Sequence, residues 1–458
     1  MHTRTDDSIT AQYLDRYRRA AEAAGEPDGL LPVTGAQRRF VVARYLDAGR
    51  RPDLVPLFFA FPRGSVDPER LREAAGHLAA AHPALRTRAQ VVRGVPVQRL
   101  TAPEAYVSRV AARPGEGAAD ALRRALAAWP GDGPPLRLLL TDAGAAETDG
   151  GTDGEGPMEI LALALDHAVC DEQSLGQLSA DLADAYRHRL GPQDVPAARA
   201  EADAAAYAEA VALQLEAERR ASAPEALAYW TRRLDLGHAT GRAAFVPDTV
   251  RPAGAVRARL ALPAGHARAV AFPALLDACG TAARALTGGA GAGDGGEEHV
   301  PLLGYPWGGR PAKAAPVLGC FLNTVVHPAV PRRDASPAAA DEAATTWWDD
   351  LDHADAPYDE VVRAARAAGV PWTGSLDGLL TFEDLHRRPP LRLGEAEGRE
   401  IHIDGRPLQA PFTVAVSYGT DLLVRMAWDR GALPDARAEA AFDLLITALH
   451  AHLRPHAG

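Results

Sequence analysis

The sequence predicts an α/β protein with two lobes. The chain has 458 residues, more than a single hydrophobic core ordinarily organises, so two cores are expected. Residues 158–165 are an uninterrupted apolar run, typical of a strand that is buried on both faces. Directly after it, apolar side chains recur at helical spacing: Leu175, Leu178, Leu182 and Tyr186. This stripe predicts a helix that packs on the same core.

The other elements follow from the same patterns and from capping residues. In chain order, we expect a polar helix at 8–25, a helix after Thr34, strands at 57–61, 95–100 and 135–140, and a helix at 67–81. Thr34 followed three residues later by Gln37 predicts a capping box. The helix after residue 166 has two candidate starts, a capping box at Ser174 and Gln177 or a cap at Asp171.

The predicted division of the chain has four parts. Residues 1–29 are expected to be an N-terminal extension, 30–190 an N-terminal lobe, 191–205 a linker, and 206–458 a C-terminal lobe. The strand at 135–140 is expected to pair with the apolar run at 158–165, inside the N-terminal lobe.

Charge and composition exclude several classes of function. A formal net charge of -11 argues against a nucleic-acid binder, which needs a basic face. The three cysteines, Cys170, Cys279 and Cys320, lie far apart and predict neither a disulfide framework nor a metal site. The sequence has neither a signal peptide nor an apolar stretch of membrane-spanning length. We therefore expect a cytoplasmic monomer without metal.

The best candidate for a functional site follows the buried strand. Residues 166–172 read Asp-His-Ala-Val-Cys-Asp-Glu, so the strand delivers His167 into a short loop and a helix begins at once. A histidine at the end of a strand, facing a cleft, is a candidate acid or base because imidazole titrates near neutral pH. Asp171 follows His167 with three residues between them.

A second group of candidate residues lies in the C-terminal half. Residues 300–310 form a short strand and a turn-rich segment that contains Trp307 and ends at Arg310. Residues 318–326 then read Leu-Gly-Cys-Phe-Leu-Asn-Thr-Val-Val, with Asn323 inside a β-like run. Further on, residues 353–358 read His-Ala-Asp-Ala-Pro-Tyr.

Taken in order, these segments resemble the condensation domains of nonribosomal peptide synthesis. His167 and Asp171 match the His-x-x-x-Asp core of the motif His-His-x-x-x-Asp-Gly, and residues 318–326 match Gly-x-Phe-x-Asn-Thr. The resemblance extends over about residues 30–455. This sequence departs from the motif at Asp166, where the family has its first histidine, and at Glu172, where it has glycine.

The resemblance implies a fold and an activity. The fold is two chloramphenicol-acetyltransferase-like lobes in a V shape, with the active site in a tunnel at their junction. The activity is acyl transfer from a thioester on the phosphopantetheine arm of a peptidyl or acyl carrier protein to a small amine or alcohol, which forms an amide or ester. No cofactor is expected to be bound, and the protein would be a free-standing enzyme that meets its carrier protein in trans.

The resemblance also assigns roles to residues. His167 is the candidate base or positioning group, and Asp171 is structural and pairs with Arg310 to tie the lobes together, with Arg86 as an alternative partner. Asp166 is the uncertain member of the catalytic motif, and a histidine is expected to be tolerated there. The residues that are expected to border the substrate path are Glu172, Ser174, Trp307 and Asn323.

Two other functions stay open at this point. Asp166, Asp171 and Ser174 also fit Asp-x4-Asp-x2-Ser, the pattern of heterocyclisation domains, although His167 is not typical of them. Glu172 favours a non-catalytic module of the same fold that recruits a partner enzyme to a carrier protein, whereas the retained His167 argues against it.

Overall fold

The structure is a computed structural model that describes residues 8–25, 29–46, 53–144, 156–235, 245–262, 268–288, 300–331 and 337–453. The described residues form eleven α-helices and sixteen strands. The helices are α1 Ile9–Ala24, α2 Gly35–Leu46, α3 Pro68–Ala81, α4 Ala118–Ala127, α5 Glu172–His188, α6 Ala197–Ala221, α7 Pro224–Asp235, α8 Arg268–Thr287, α9 Pro337–Asp352, α10 Tyr358–Ala367 and α11 Asp435–Leu453.

The first eight strands are β1 Leu30–Leu31, β2 Leu54–Pro62, β3 Thr87–Val92, β4 Val95–Leu100, β5 Tyr106–Arg109, β6 Leu136–Ala143, β7 Met158–Asp166 and β8 Gly254–Ala261. The others are β9 Leu302–Gly308, β10 Leu322–Pro328, β11 Gly378–Asp384, β12 Arg392–Leu393, β13 Ala396–Glu397, β14 Arg399–Ile401, β15 Phe412–Tyr418 and β16 Asp421–Trp428. The α/β fold class is confirmed, and so are the helices and strands predicted above.

Contacts within the chain divide it into two units. The first comprises Met1–Ala217, Gly308–Leu322 and Arg387–Ile403, and the second comprises Glu218–Trp307, Asn323–His386 and Asp404–Gly458. The sequence-based division differs, because it places all of 206–458 in one lobe. Two later segments return to the first unit: β14 pairs with β2, and Leu318 and Phe321 are buried in the first unit's core.

The boundaries near the N-terminus and the expected linker also differ. Helix α1 is not a separate extension, because Tyr13, Ala20 and Ala21 are buried in the first core. The Tyr13 hydroxyl donates to the Pro96 carbonyl at 2.9 Å, which fastens the helix to β4. In place of a linker at 191–205, α6 already begins at Ala197.

The central strand of the first unit is β7. Its five-stranded sheet has the order β14-β2-β7-β6-β5, and β7 is antiparallel to both β2 and β6, which confirms the predicted pairing. Successive side chains alternate between the faces: Leu161, Leu163 and Leu165 enter one core cluster, and Ile160, Ala162 and Ala164 enter another. This explains the uninterrupted apolar run, since every residue of β7 is buried.

The second unit is built on a six-stranded sheet with the order β10-β9-β11-β15-β16-β8. Its core contains Trp230, Tyr305 and Trp428, each at most 2% exposed. Helix α11 belongs to the same core through Phe442, Leu445 and Leu449. Among the described residues, none of the helices combines the length and the apolar character that crossing a membrane requires.

Candidate active site

His167 lies where the central strand of the first unit ends. Strand β7 ends at Asp166, a single 3-10 turn covers His167–Val169, and α5 begins at Glu172. The backbone N–H of His167 donates to the Asp53 carbonyl at 2.8 Å, which continues the ladder between β7 and the chain before β2. The half-buried imidazole is therefore carried by a rigid, buried strand.

The hydrogen bonding of His167 defines which nitrogen carries the proton. Nδ1 lies 3.0 Å from the Cys170 carbonyl oxygen, and because a carbonyl only accepts, the neutral ring has its hydrogen on Nδ1. Within the part of the chain that the structure describes, Nε2 has no hydrogen-bond partner. Nε2 is thus the ring atom whose lone pair is able to accept a proton.

Asp171 is the N-cap of α5 and is 4% exposed. Its Oδ1 accepts from the Ser174 backbone N–H at 3.1 Å and lies 2.9 Å from the Ser174 hydroxyl. Its Oδ2 accepts from the Phe321 backbone N–H at 3.1 Å. The helix start is therefore at Asp171 and not at Ser174, because the aspartate side chain accepts from the Ser174 N–H, one of the N–H groups that the first turn leaves free.

Arg310 completes this cluster. Its Nη2 donates to Asp171 Oδ1 at 3.1 Å and to the Ser174 hydroxyl at 2.9 Å, while Nε donates to the Val317 carbonyl at 2.9 Å. Nη1 donates to the Gln173 side chain at 2.9 Å. Arg86, the alternative partner, donates instead to the Ala200 carbonyl at 3.5 Å. Both members of the ion pair belong to the first unit, so the pair fastens 308–322 to α5 and is not a tie between lobes.

Ser174 is part of this network and is 2% exposed. Its hydroxyl accepts from the Gly319 N–H at 3.2 Å and lies 3.1 Å from the Gly319 carbonyl. A Cβ on Gly319 would lie 2.3 Å from the Phe321 ring, so only glycine allows this approach. Asp171, Ser174, Gly319 and Phe321 thus hold the backbone that follows His167.

Asp166 is engaged on the other side of the His167 loop. Its Oδ1 accepts from the Ala168 N–H at 3.0 Å, and its Oδ2 pairs with Arg44 of α2. The side chains of Arg44 and Asp166 are 6% and 11% exposed. The carboxylate at the position of the family's first histidine therefore has both oxygens occupied in a buried ion pair.

Glu172 and Cys170 flank Asp171 in different surroundings. Glu172 is the exposed first residue of α5, where a negative charge is favourable beside the positive end of the helix dipole. Cys170 is 1% exposed, and burial raises the pKa of its thiol well above the usual value. Burial therefore disfavours the reactive thiolate form of Cys170.

The two remaining candidates belong to the second unit. Asn323 Nδ2 donates to the carbonyls of Ala354 and Ala356 at 2.8 and 2.7 Å, and its Oδ1 accepts from the Tyr358 N–H at 3.2 Å. The half-buried Trp307 donates from its indole to Asp355 at 3.2 Å. Asn323 therefore connects β10 to the turn before α10, and it has a structural task in this unit.

The contacts of α2 with the His167 loop were not predictable from the sequence. The ring of Phe40 stacks on that of His167 with 4.5 Å between centroids, and Arg44 pairs with Asp166. A signal was present: Gln37, Val41 and Arg44 lie at helical spacing on the buried face of α2, and two of the three are polar. Polar residues on a core-facing stripe need partners, which the sequence alone did not identify.

No family model matches this chain, and no curated protein matches it significantly. The chain does resemble solved structures. The starter condensation domain of rhizomide synthetase, solved as a mutant in complex with C8-CoA, has a TM-score of 0.64 and 16% identity over 94% of this chain and 96% of that one. The first condensation domain of the CDA synthetase has a TM-score of 0.62 and 18% identity over 94% and 98%.

The X-domain from teicoplanin biosynthesis is similar to this chain as well, with a TM-score of 0.60 and 18% identity over 93% of this chain and 95% of that domain. All three comparisons span nearly the full length of both chains at low identity. This chain therefore has the fold of the condensation domains of nonribosomal peptide synthetases.

Proposed function

We propose that this protein is a condensation-type acyltransferase that joins an acyl thioester to an amine or hydroxyl. The observation that carries the proposal is the state of His167, whose Nδ1–H is bound to the Cys170 carbonyl while Nε2 has no partner among the described residues. An unprotonated ring nitrogen at the end of a rigid strand is the group that acyl transfer needs near its nucleophile.

The chemistry proceeds by proton transfer and addition. Nε2 of His167 accepts a proton from the amine or hydroxyl while the nitrogen or oxygen of that acceptor bonds to the thioester carbonyl carbon. The tetrahedral intermediate then collapses, the carbon–sulfur bond breaks, and the thiolate takes up the proton to leave as a thiol. Asp171 is assigned no proton transfer in these steps, because both of its oxygens accept hydrogen bonds within the first unit.

The proposed donor is an acyl group on a phosphopantetheine arm, with a carrier protein as partner. The support is the family of the similar structures, which are condensation domains, and the C8-CoA complex of the rhizomide synthetase domain. Coenzyme A ends in the same phosphopantetheine arm that carrier proteins bear. The acceptor is a small amine or alcohol.

The occupied carboxylate of Asp166 supports this proposal over heterocyclisation. That alternative assigns a role to the Asp-x4-Asp pattern, but Asp166 is buried and paired with Arg44. The recruitment alternative depends on Glu172, which is exposed at the start of α5. Neither observation favours the alternatives over acyl transfer.

The test is incubation of the purified protein with octanoyl-CoA and with a panel of acyl groups loaded on a phosphopantetheinylated carrier protein. Each donor is mixed with a set of amino acids and amines, and products are identified by mass spectrometry. We expect an amide or ester that His167→Ala does not produce. A product that is lighter by one water than the linear amide would support heterocyclisation. Binding of the loaded carrier without any product would support recruitment.

A further inference from the structure

One face of α2 contacts the loop that carries His167. Gln37, Phe40 and Arg44 occur at three- and four-residue spacing, so their side chains lie on one side of the helix. They reach three consecutive residues of the loop, 166–168, each through a different kind of contact. All of these residues belong to the first unit.

The contacts restrain the loop on both sides of the imidazole. Gln37 Nε2 donates to the Ala168 carbonyl at 2.8 Å, and Arg44 pairs with the Asp166 carboxylate. Between them, the Phe40 ring covers one face of His167 with an interplanar angle of 19°. The backbone before and after the histidine is thereby fixed, and its ring is held in one plane.

The N-terminal end of α2 is itself fixed by a buried polar network. The Thr34 N–H donates to Gln37 Oε1 at 3.0 Å, and Gln98 Nε2 donates to the same oxygen at 2.9 Å. The hydroxyl of Tyr207 donates to Gln98 Oε1 at 2.7 Å. Because buried networks of this kind have little freedom to rearrange, Gln37 cannot withdraw from the Ala168 carbonyl without leaving polar groups unpaired.

We propose that Phe40 is a positioning residue for His167, and that α2 supplies the support that keeps the ring in its reactive tautomer. Rotation of the imidazole about its Cβ–Cγ bond would break the bond from Nδ1 to the Cys170 carbonyl. The stacked Phe40 ring opposes tilting of the imidazole out of this plane and so favours the hydrogen bond from Nδ1 to the Cys170 carbonyl. The catalytic consequence rests on the proposed function, whereas the geometric claim does not.

The geometric claim is tested in the intact protein by nuclear magnetic resonance with ring-labelled histidine. His167 is assigned by comparison with His167→Ala. In the wild type, we expect its ring protons to be shifted upfield by the Phe40 ring current and its nitrogen shifts to show one protonated Nδ1. In Phe40→Leu, which keeps an apolar side chain, the upfield shift should vanish and the two nitrogen shifts should move towards each other.

The catalytic consequence is tested with the same variant in the condensation assay. Phe40→Leu should lower kcat about tenfold or more, with KM unchanged to within about twofold, since small displacements of a catalytic group are costly. Val42→Ala is the matched control, because Val42 lies on the same helix and is 43% exposed. It should keep both the wild-type kcat and the wild-type histidine spectrum.

The outcomes separate this inference from the proposed function. A wild-type His167 without the upfield shift, or a spectrum that Phe40→Leu leaves unchanged, would overturn the inference. Unaltered kcat in Phe40→Leu would overturn it too. A wild type that shows the shift but forms no product with any donor would refute the proposed function and uphold the geometric claim.

Discussion

Asp171 and Arg310 form a buried ion pair within the first unit. The carboxylate receives hydrogen bonds from α5 and from Phe321, and the guanidinium connects Val317 and Gln173. Removing one member of a buried ion pair costs about 3–5 kcal/mol of stability, because the other charge is left uncompensated. We expect Asp171→Asn and Arg310→Ala each to have a cost of that order in urea unfolding.

The double variant tests whether the two residues are coupled. Asp171→Asn combined with Arg310→Ala should lose much less stability than the two single losses together. Arg18→Ala is a suitable control, because the pair of Arg18 with Asp15 is 64% and 68% exposed and such pairs contribute less than about 1 kcal/mol. Additive losses in the double variant would contradict the coupling.

Asp166 carries a different prediction from the one that the sequence suggests. A histidine was expected to be tolerated there, but in the structure it would leave Arg44 buried without its carboxylate. We therefore expect Asp166→His to lower the free energy of unfolding by about 3 kcal/mol or more. Adding Arg44→Leu should restore part of that loss. A stable Asp166→His single variant would show that Arg44 finds another partner.

At the scale of elements, contacts between residues close in the sequence were predictable, and contacts between residues far apart were not. The capping box of Thr34 and Gln37 joins residues three apart, so the sequence displays both partners together. The pair of Arg44 and Asp166 joins residues 122 apart, and helical spacing indicates only that Arg44 is buried. The return of β14 to β2 is a long-range pairing of the same kind, which is why the predicted domain division differs from the structural one.

Asn323 is predicted to stabilise the turn before α10. Its side chain satisfies the Ala354 and Ala356 carbonyls and the Tyr358 N–H, so Asn323→Ala leaves three backbone groups without this partner. An unsatisfied buried group costs about 1–3 kcal/mol, and we expect a loss of at least that size in thermal unfolding. The exposed Thr345→Ala in α9 should change little. A loss no larger than that of Thr345→Ala would show that Asn323 is free for another role.

At the scale of the whole molecule, the two units contain separate cores and different cysteines. Cys170 and Cys320 are buried in the first unit and Cys279 in the second, each at most 1% exposed. Burial raises the pKa of all three thiols, so little reactive thiolate is present near pH 8. We expect the folded protein to react with a thiol reagent at least about a hundredfold more slowly than the unfolded chain. Rapid reaction of the folded protein would show that one of the cores opens readily.

The central claim is that the condensation fold of this chain is catalytic and that His167 performs the proton transfer. The most direct measurement is the initial rate of product formation for wild type, His167→Ala and His77→Ala at equal concentration. His77 is a matched control, since it is half-buried and its Nδ1 lies 3.0 Å from the Gly191 carbonyl. We predict that His167→Ala lowers the rate at least about a hundredfold, as expected for a general base, while both variants keep the wild-type unfolding temperature to within a few degrees. A His167→Ala variant as active as wild type would contradict the account.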